Sequence, residues 1–306
     1  MILLFIIKCY NKIGDNMNIL INVDNNYLER AKDTLLSIRF HNDEKLNVYL
    51  TYDDISDDKL DDLDKFISKK LGGTLNRIKC NLEDIKLPVY FDYISKATYY
   101  RIFFPFLVNE DIDRVLYVDC DVICTDSIKE FYETDFEDNI LVACENMTVE
   151  KYKDFNGKCN DRLELPSDNK YINAGVLLMN VKKYKEEVNK DELIEFIDKY
   201  KNKLVLQDQD VINKYFYGKI KIADNKYNYQ INAVDYGKEC FDNVLVHYSE
   251  AEKPWETDYV LINKVKPYYD FLRLKGDLKT LEILIKNHTN NYRDYLLRTY
   301  CDFIIW

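Results

Sequence analysis

An apolar run that ends in two aspartates constrains this chain more than any other feature of its sequence. Residues 114–118 read Arg-Val-Leu-Tyr-Val, then Asp119 and Asp121 follow with one cysteine between them, and a second apolar pair comes next. The β-branched and aromatic residues predict a strand. Because alternate strand residues face the same side, we expect the two carboxylates to lie close together.

Two carboxylates this close repel each other unless a cation lies between them. Mg²⁺ and Mn²⁺ take oxygen ligands and commonly complete their coordination with phosphate oxygens. The alternative is a strand that ends in a turn with two solvated aspartates, because a motif as short as Asp-x-Asp occurs often by chance. The other motifs must decide between these interpretations.

Composition narrows the class of protein. A chain of 306 residues, of which 47% are apolar, is long enough for one large α/β domain or two small ones. Its formal charge of -11 excludes the extended basic face that nucleic-acid binding requires. The eight cysteines are scattered, and the close pair Cys120 and Cys124 lacks the further cysteine–histidine pair of a zinc site. Scattered cysteines are typical of buried thiols in a reducing compartment, so we predict a cytoplasmic protein.

Strand and helix patterns alternate along the N-terminal half, which predicts a parallel sheet with helical crossovers. Strands are expected over 18–24, 47–52, 114–118, 140–144, 171–180 and 244–249. Helices are expected over 28–38, in an acidic stretch ending at Lys70, in a short segment that Pro105 ends or kinks, over 181–200 and in a segment that begins with 204–213. Residues 145–169 are polar and show no clear period.

Both ends of the chain differ from this pattern. Residues 1–16 are interpreted as an extension or a mis-assigned start, since their apolar run is too short to span a bilayer and lacks the features of a signal peptide. Residues 257–306 are expected to form a C-terminal extension of two or three helices. That extension either packs on the domain or a partner, or touches the cytoplasmic face of a membrane.

Several polar residues follow the ends of predicted strands, where parallel sheets bind ligands. Asp24 and Asn26 follow the first strand and could share a cleft with Asp119 and Asp121, although Asp and Asn are also common helix caps. His247 ends a late strand, and its role depends on whether it meets the two aspartates.

Other candidates lie on helices and turns. Arg101 either clamps an anionic or polyhydroxyl ligand or pairs with a structural carboxylate. Gly175, in the step Asn173-Ala174-Gly175, suits a close approach of the backbone or a special backbone torsion. Asp208 and Gln209 lie in the first turn of a helix, where capping explains part of their presence.

Taken in order, six motifs resemble glycosyltransferase family 8, the family of the lipopolysaccharide galactosyltransferases and glycogenin. They are Asp24-Asn25-Asn26-Tyr27, Ala97–Arg101, Val115–Asp121, Tyr171–Val176, Gln207–Asp210, and His247-Tyr248 with Lys253-Pro254-Trp255. The match covers residues 17–256. The resemblance implies a GT-A fold, which is one Rossmann-like α/β domain with a mostly parallel sheet flanked by helices, and retaining transfer of a hexose from a UDP-sugar.

The resemblance also implies roles for individual residues. Asp119, Asp121 and His247 would bind Mn²⁺, with Mg²⁺ as the alternative, and an imidazole ligand favours Mn²⁺. Asp24 and Asn26 would hold uridine, Lys253 a phosphate and Arg101 the donor sugar. Donor contacts would also come from Asp119, Asp121, Asn173, Ala174 and Gly175. Asp208 and Gln209 are the catalytic candidates, because the anomeric carbon needs a polar or anionic group on its open face.

The donor is expected to be UDP-galactose or UDP-glucose, and the acceptor a saccharide or glycolipid. Two departures from the family pattern stand out. The loop after His247, where the family usually has a glycine, contains Glu250 and Glu252, and Asn22 stands where small residues are usual. The alternatives are a catalytically weak nucleotide-sugar-binding protein and a metal-dependent nucleotidyltransferase or phosphohydrolase. Acidic residues beside a diphosphate favour the first of these.

Overall fold

The computed structural model describes residues 16–82, 85, 87–88, 96–109, 111–147, 154–231, 242–259 and 264–304, with the side chains of the last helix described through Arg293. The predicted extension over residues 1–16 lies outside this part of the chain, except that residue 16 begins the first strand. The boundaries 17–256 and 257–306 stay predictions.

In the described residues, ten strands form two sheets. They are β1 (Asn16–Asn22), β2 (Lys45–Tyr52), β3 (Thr74–Lys79), β4 (Arg114–Val118), β5 (Val122–Cys124), β6 (Leu141–Glu145), β7 (Ile172–Asn180), β8 (Ile220–Ala223), β9 (Tyr229–Gln230) and β10 (Leu245–His247). The large sheet has the order β3-β2-β1-β4-β7-β6-β8, and the small one β5-β10-β9. In the large sheet only β7 runs antiparallel to its neighbours, so the predicted mostly parallel sheet is confirmed.

Helices cover both faces of the large sheet. They are α1 (Leu28–His41), α2 (Asp57–Phe66), α3 (Tyr100–Leu107), α4 (Lys129–Tyr132), α5 (Phe155–Arg162), α6 (Val181–Glu187), α7 (Lys190–Tyr200), α8 (Asp208–Tyr215), α9 (Lys266–Lys275) and α10 (Leu278–Ile304). A π-helical turn, Ile67–Leu71, extends α2, and 3-10 turns occupy Lys96–Tyr99, Lys201–Lys203 and Asn225–Asn228. This is the α/β architecture flanked by helices that the sequence predicts.

Alternation along the strands divides the core into two layers. Leu20 and Tyr117 pack with α3 on one face of the sheet, whereas Ile19 and Leu116 pack with α1 on the other. Because both faces are covered, the central strands are apolar at almost every position. The polar residues that follow these strands therefore lie at the sheet's edge, beyond the core.

The described part of the C-terminal extension contains two helices, α9 and α10, in agreement with the prediction. Tyr268, Phe271 and Leu284 from these helices pack against Val246 and Tyr248 of the small-sheet region. α9 and the first part of α10 therefore pack on the domain, which is the first of the two interpretations of the extension. None of the helices in the described ranges combines the length and apolar character needed to cross a bilayer.

The structure differs from the sequence expectations in three local details. The predicted helix over 181–200 is two helices, because Asn189 caps α7 by accepting hydrogen bonds from the backbone of Asp191 and Glu192. Pro105 does not end α3, which continues two residues beyond it, so only the kink stays a prediction. The stretch 145–169, which shows no clear period in the sequence, contains α5, whose apolar positions are too few to give a helical pattern.

Candidate active site

Strand pairing brings distant motifs to one point at the carboxyl end of β4. Asp119 and Asp121 follow the end of β4, where the sequence predicted them. They lie in the turn between β4 and β5, so strand alternation is not what brings them together. β10 runs antiparallel to β5 with His247 opposite Val122, and the backbone N–H of Tyr248 donates to the carbonyl of Asp121 at 3.0 Å. The pairing of the small sheet therefore sets His247 beside the two aspartates.

Asp119, Asp121 and His247 form a compact set of ligand atoms. One oxygen from each carboxylate and one imidazole nitrogen lie within 4.8 Å of one another. His247 Nε2 is 3.2 Å from Asp121 Oδ1 and 3.9 Å from Asp119 Oδ2. Asp121 Oδ1 is buried and has no partner with hydrogen-bond geometry among the described residues. An orphaned carboxylate oxygen beside a second carboxylate and an imidazole fits a divalent cation, and the nitrogen ligand suits Mn²⁺ better than Mg²⁺.

Lys253 reaches the same carboxylates. Its Nζ donates to Asp121 Oδ2 at 2.8 Å and also to the carbonyl of Tyr248. Burial alone would raise the pKa of Asp121, but Lys253 and His247 outweigh it and hold that pKa well below its usual range. Burial likewise opposes the protonated form of Lys253, and Asp121 overcomes it and raises the pKa of the amine. The pair stays charged at neutral pH.

Arg101 connects this set to Asp208. Its Nη2 lies 3.2 Å from Asp119 Oδ1 and its Nε 3.2 Å from Asp208 Oδ2, and its Nη1 donates to the carbonyl of Ala174 at 2.7 Å. The guanidinium also lies over the ring of Tyr117, 4.2 Å from its centroid. Burial disfavours the charge, but the carboxylates dominate and raise the pKa of Arg101. Of the two expected roles of Arg101, these contacts match pairing with carboxylates.

Asp208 is the perturbed carboxyl of the site. Burial raises its pKa to about 6, Arg101 opposes the rise, and Asp119 adds to it. The residue before it, Gln207, has φ +52° and a buried side-chain amide without a hydrogen-bond partner in the described part of the chain. A positive φ in a non-glycine residue costs roughly 1–3 kcal/mol and is common at functional sites.

Gln209 is held against β7. Its Oε1 accepts from the backbone N–H of Ala174 at 3.1 Å, and its Nε2 lies 3.4 Å from the hydroxyl of Tyr171. Tyr171 donates to Asp210 Oδ1 at 2.7 Å, and Asp210 also accepts two hydrogen bonds from Arg162 at 2.8 and 2.9 Å. An ion pair between the buried Asp210 and the partly exposed Arg162 therefore supports Tyr171, the side chain that positions Gln209.

Asp24 shapes the loop after β1. Its Oδ1 accepts hydrogen bonds from the backbone of Asn26 at 2.8 Å and of Tyr27 at 3.1 Å. These contacts match the loop interpretation of Asp24 and not helix capping, because α1 begins at Leu28 and its N-cap residue, Tyr27, has no side-chain cap. Burial raises the pKa of the Tyr27 hydroxyl, with Lys253 opposing and Asp121 adding to the rise, so this loop faces the Asp-x-Asp turn.

Both departures from the family pattern have structural explanations. Asn22 joins neighbouring segments, since it donates to the carbonyl of Ala97 at 3.3 Å and accepts from Thr51. Glu250 and Glu252 are exposed, whereas Lys253 is buried. The loop after β10 thus turns its lysine inward and leaves its glutamates in solvent.

Sequence reasoning missed several residues that support the site. Tyr117 donates to Asp119 Oδ1, and its position two residues before Asp119 could have indicated this contact. Arg162 lies on a helix that the sequence did not reveal. Asn228, which contacts both His247 and Asn173, belongs to none of the six motifs, and only the pairing of β9 with β10 brings it to the site.

Comparison with known proteins agrees with this geometry. The model of Glycosyl transferase family 8 matches residues 18–258. A putative glycosyltransferase of Haemophilus influenzae is 30% identical over 79% of this chain and 74% of its own length. The lipopolysaccharide 1,3-galactosyltransferase of Salmonella typhimurium is 28% identical over 80% of this chain and 74% of its own.

A solved glycosyltransferase structure is similar to this protein over most of its length. The galactosyltransferase LgtC, crystallised with donor and acceptor sugar analogs, superposes with a TM-score of 0.73 and 26% identity over 85% of this chain and 96% of LgtC. The match spans only 31%, 65% and 54% of the lengths of the pneumococcal glycosyltransferases GlyA, GlyF and GlyE. This chain therefore corresponds to part of those proteins, and the GT-A fold is shown by its likeness to LgtC.

Proposed function

Because this chain belongs to glycosyl transferase family 8, we propose that it transfers galactose or glucose from a UDP-sugar to a saccharide or glycolipid acceptor, in a Mn²⁺-dependent reaction that retains the anomeric configuration. The observation that carries the proposal is the cluster of Asp119, Asp121 and His247, whose ligand atoms lie within 4.8 Å of one another at the end of β4. A nucleotide diphosphate completes such a divalent site with its own oxygens.

The chain's own residues would share the work of the reaction. Asp119, Asp121 and His247 would hold the ion, which when bound supplies positive charge to the departing UDP. Lys253, already charged by its pairing with Asp121, would donate to a phosphate oxygen. Arg101 would keep Asp208 oriented through the contact at 3.2 Å, beside the donor sugar.

Asp208 and Gln209 are the proposed groups on the open face of the anomeric carbon. Gln209 is fixed by Ala174 and Tyr171, so its amide is positioned before substrate binds. Asp208, with a pKa raised by burial to about 6, would be ionised above that pH and able to stabilise positive charge on the sugar. Asn173, Ala174 and Gly175 would line the donor, and Asp24 and Asn26 would hold uridine.

We place the transferase domain at residues 17–256 and the protein in the cytoplasm, where UDP-sugars would reach it. The C-terminal extension would also contact the cytoplasmic face of a membrane, through residues other than those that pack on the small sheet. Exposed Leu274, Leu278 and Ile285 on α9 and α10 support that part of the proposal.

The test is UDP release from a panel of UDP-sugars, with Mn²⁺ and with a chelator, by the wild type and by Asp121→Ala. We expect Mn²⁺-dependent UDP from one hexose donor and none from the variant. Asp126→Ala, which changes an exposed aspartate five residues further on, is the matched control and should behave as wild type.

Two outcomes would contradict the proposal. Release of UMP instead of UDP would indicate a nucleotidyltransferase or phosphohydrolase. UDP binding without release from any donor would indicate a nucleotide-sugar-binding protein, and Glu250→Gly would then test whether the acidic loop prevents turnover.

A further inference from the structure

We propose that Asn228 is a positioning residue for His247 and fixes the imidazole in the tautomer whose unprotonated Nε2 faces Asp119 and Asp121. The role for which this tautomer matters rests on the proposed metal-dependent function. The tautomer itself follows from hydrogen bonds within the chain.

Three hydrogen bonds of equal length connect the backbone to His247. The N–H of Gly175 donates to Asn173 Oδ1 at 2.9 Å, Asn228 Nδ2 donates to the same oxygen at 2.9 Å, and Asn228 Oδ1 lies 2.9 Å from His247 Nδ1. Asn228 is 0% exposed and His247 3% exposed, so solvent cannot substitute for either partner. Each buried donor in this series therefore needs an acceptor on the neighbouring side chain.

The direction of every bond follows from the first one. A backbone N–H can only donate, so the side-chain atom of Asn173 that faces Gly175 must be its oxygen. That oxygen cannot donate, so Asn228 must present its NH₂ group to Asn173 and its oxygen to His247. His247 Nδ1 must then carry the proton, because an amide oxygen only accepts.

This arrangement opposes a competing tautomer. His247 Nε2 lies 3.2 Å from Asp121 Oδ1, and a carboxylate at that distance attracts a proton onto Nε2. A proton there would block the lone pair with which an imidazole binds a metal. Asn228 holds the proton on the opposite nitrogen, and an outer partner of this kind is worth about 10- to 100-fold in metal affinity.

Strand pairing accounts for the position of Asn228. The residue ends the 3-10 turn Asn225–Asn228 and directly precedes β9. β9 runs parallel to β10, with Tyr229 opposite Val246 and Gln230 opposite His247. The short strand therefore delivers Asn228 to the imidazole, which gives β9 a function beyond extending the small sheet.

The test reads the tautomer directly, in protein without metal or donor. The chain has three histidines, so ¹⁵N spectra of histidine-labelled full-length protein resolve each ring, and His247→Gln assigns the signals. At a pH where the imidazole is neutral, we expect His247 as the Nδ1–H tautomer in the wild type. In Asn228→Leu we expect a shift toward Nε2–H and a loss of Mn²⁺ affinity of about 10- to 100-fold, measured by EPR of free Mn²⁺.

Two further variants separate positioning from general stability. Asn228→Asp keeps an acceptor for His247 Nδ1–H and should retain the wild-type tautomer, although it loses the donor to Asn173 Oδ1 and should therefore lower stability. Asn160→Leu removes another buried asparagine, whose side chain bonds to Asn169 instead of a histidine, and should leave the His247 signals unchanged.

The proposal is overturned if metal-free wild type shows the Nε2–H tautomer. It is also overturned if folded Asn228→Leu keeps both the wild-type tautomer and wild-type Mn²⁺ affinity. If Asn228→Leu does not fold, the wild-type and Asn228→Asp spectra still decide the question. A correct tautomer in a protein that releases no UDP would contradict the proposed function and leave the role of Asn228 intact.

Discussion

Gly175 and His247 approach so closely that a Cβ atom on residue 175 would lie 2.2 Å from the imidazole Cε1. The same atom would lie 2.8 Å from Asp119 Oδ2. Asp119 cannot move away easily, because its backbone N–H donates to the carbonyl of Gly175 at 2.8 Å. Of the two roles expected for Gly175, close approach describes these contacts, and the residue is not among the described glycines with a positive φ.

Gly175→Ala is therefore expected to displace His247 or Asp119. We predict a loss of Mn²⁺ affinity of at least about tenfold and a decrease of about 1–3 kcal/mol in the free energy of unfolding. EPR titration and thermal unfolding measure the two effects.

The control is Gly218→Ala. This glycine has φ +75° and no neighbouring atom within 4 Å of an added Cβ, so the substitution costs backbone strain only. It should lower stability by about 1–2 kcal/mol and leave Mn²⁺ binding unchanged. Wild-type Mn²⁺ affinity in Gly175→Ala would show that the close approach is not needed for the site.

Lys253→Met should change two affinities in opposite directions. Lys253 Nζ donates to Asp121 Oδ2 at 2.8 Å and so competes with a cation for that carboxylate. Without the amine we expect Mn²⁺ alone to bind more tightly, whereas UDP in the presence of Mn²⁺ binds about tenfold or more weakly, since a charge-assisted hydrogen bond contributes about 1.5–3 kcal/mol.

Calorimetric titration with Mn²⁺ alone and with UDP at saturating Mn²⁺ separates the two effects. Lys226→Met, which removes an exposed lysine paired with Glu130, is the matched control and should change neither affinity. A parallel loss of both affinities would mean that Lys253 acts only by maintaining the fold.

Much of the fold could be predicted because the strands are buried on both faces and read as apolar runs. The helical break at Val188 could also have been predicted, since Asn189 followed by Asp191 and Glu192 is a good N-cap pattern. α5 could not, because Gly157 and polar residues interrupt its few apolar positions. A helix of this kind forms through its tertiary contacts, here the ion pair of Arg162 with Asp210.

The predicted site residues come together because each motif follows a strand whose neighbours the topology sets. Asp119 and Asp121 are close because both lie in one turn, whereas the prediction that they are close rested on the alternation of strand residues. Asn228 could not have been found from the sequence. Its contact with His247 depends on a two-residue strand, β9, that has no periodicity to recognise.

Arg162→Met tests the ion pair between the partly exposed Arg162 and the buried Asp210, which supports Gln209. Asp210 is 0% exposed and accepts hydrogen bonds from Arg162 at 2.8 and 2.9 Å. Removing the arginine leaves a buried carboxylate without its counter-ion, which typically costs about 3–5 kcal/mol. We expect a loss of that order at neutral pH, measured by urea unfolding, together with slower UDP release.

The pH dependence of that loss has a definite sign. Burial already raises the pKa of Asp210, and Arg162 opposes the rise. In Arg162→Met the folded state should therefore hold a proton that the unfolded state releases, so the loss grows as the pH rises above the ordinary range of a carboxyl. Asp210→Asn in the same chain should recover part of the stability, and a loss independent of pH would exclude this explanation.

Asp208→Asn should stabilise the protein while abolishing turnover. Burial raises the pKa of Asp208 from 3.8 to about 6, so between these values the folded state holds a proton that the unfolded state has lost, and stability falls as the pH rises. Above that window, burying the ionised carboxylate lowers the free energy of unfolding by roughly 3 kcal/mol for a shift of this size. The uncharged amide of asparagine avoids that loss.

Urea unfolding in the presence of a chelator should show higher stability for Asp208→Asn at about pH 8 and a smaller difference at about pH 4. UDP release should fall at least a hundredfold, roughly the effect of removing one transition-state contact. Asp62→Asn, at an exposed carboxylate paired with Lys65, should change neither quantity. A variant less stable than wild type at the higher pH would show that the contact of Arg101 with Asp208 outweighs the burial of the carboxylate.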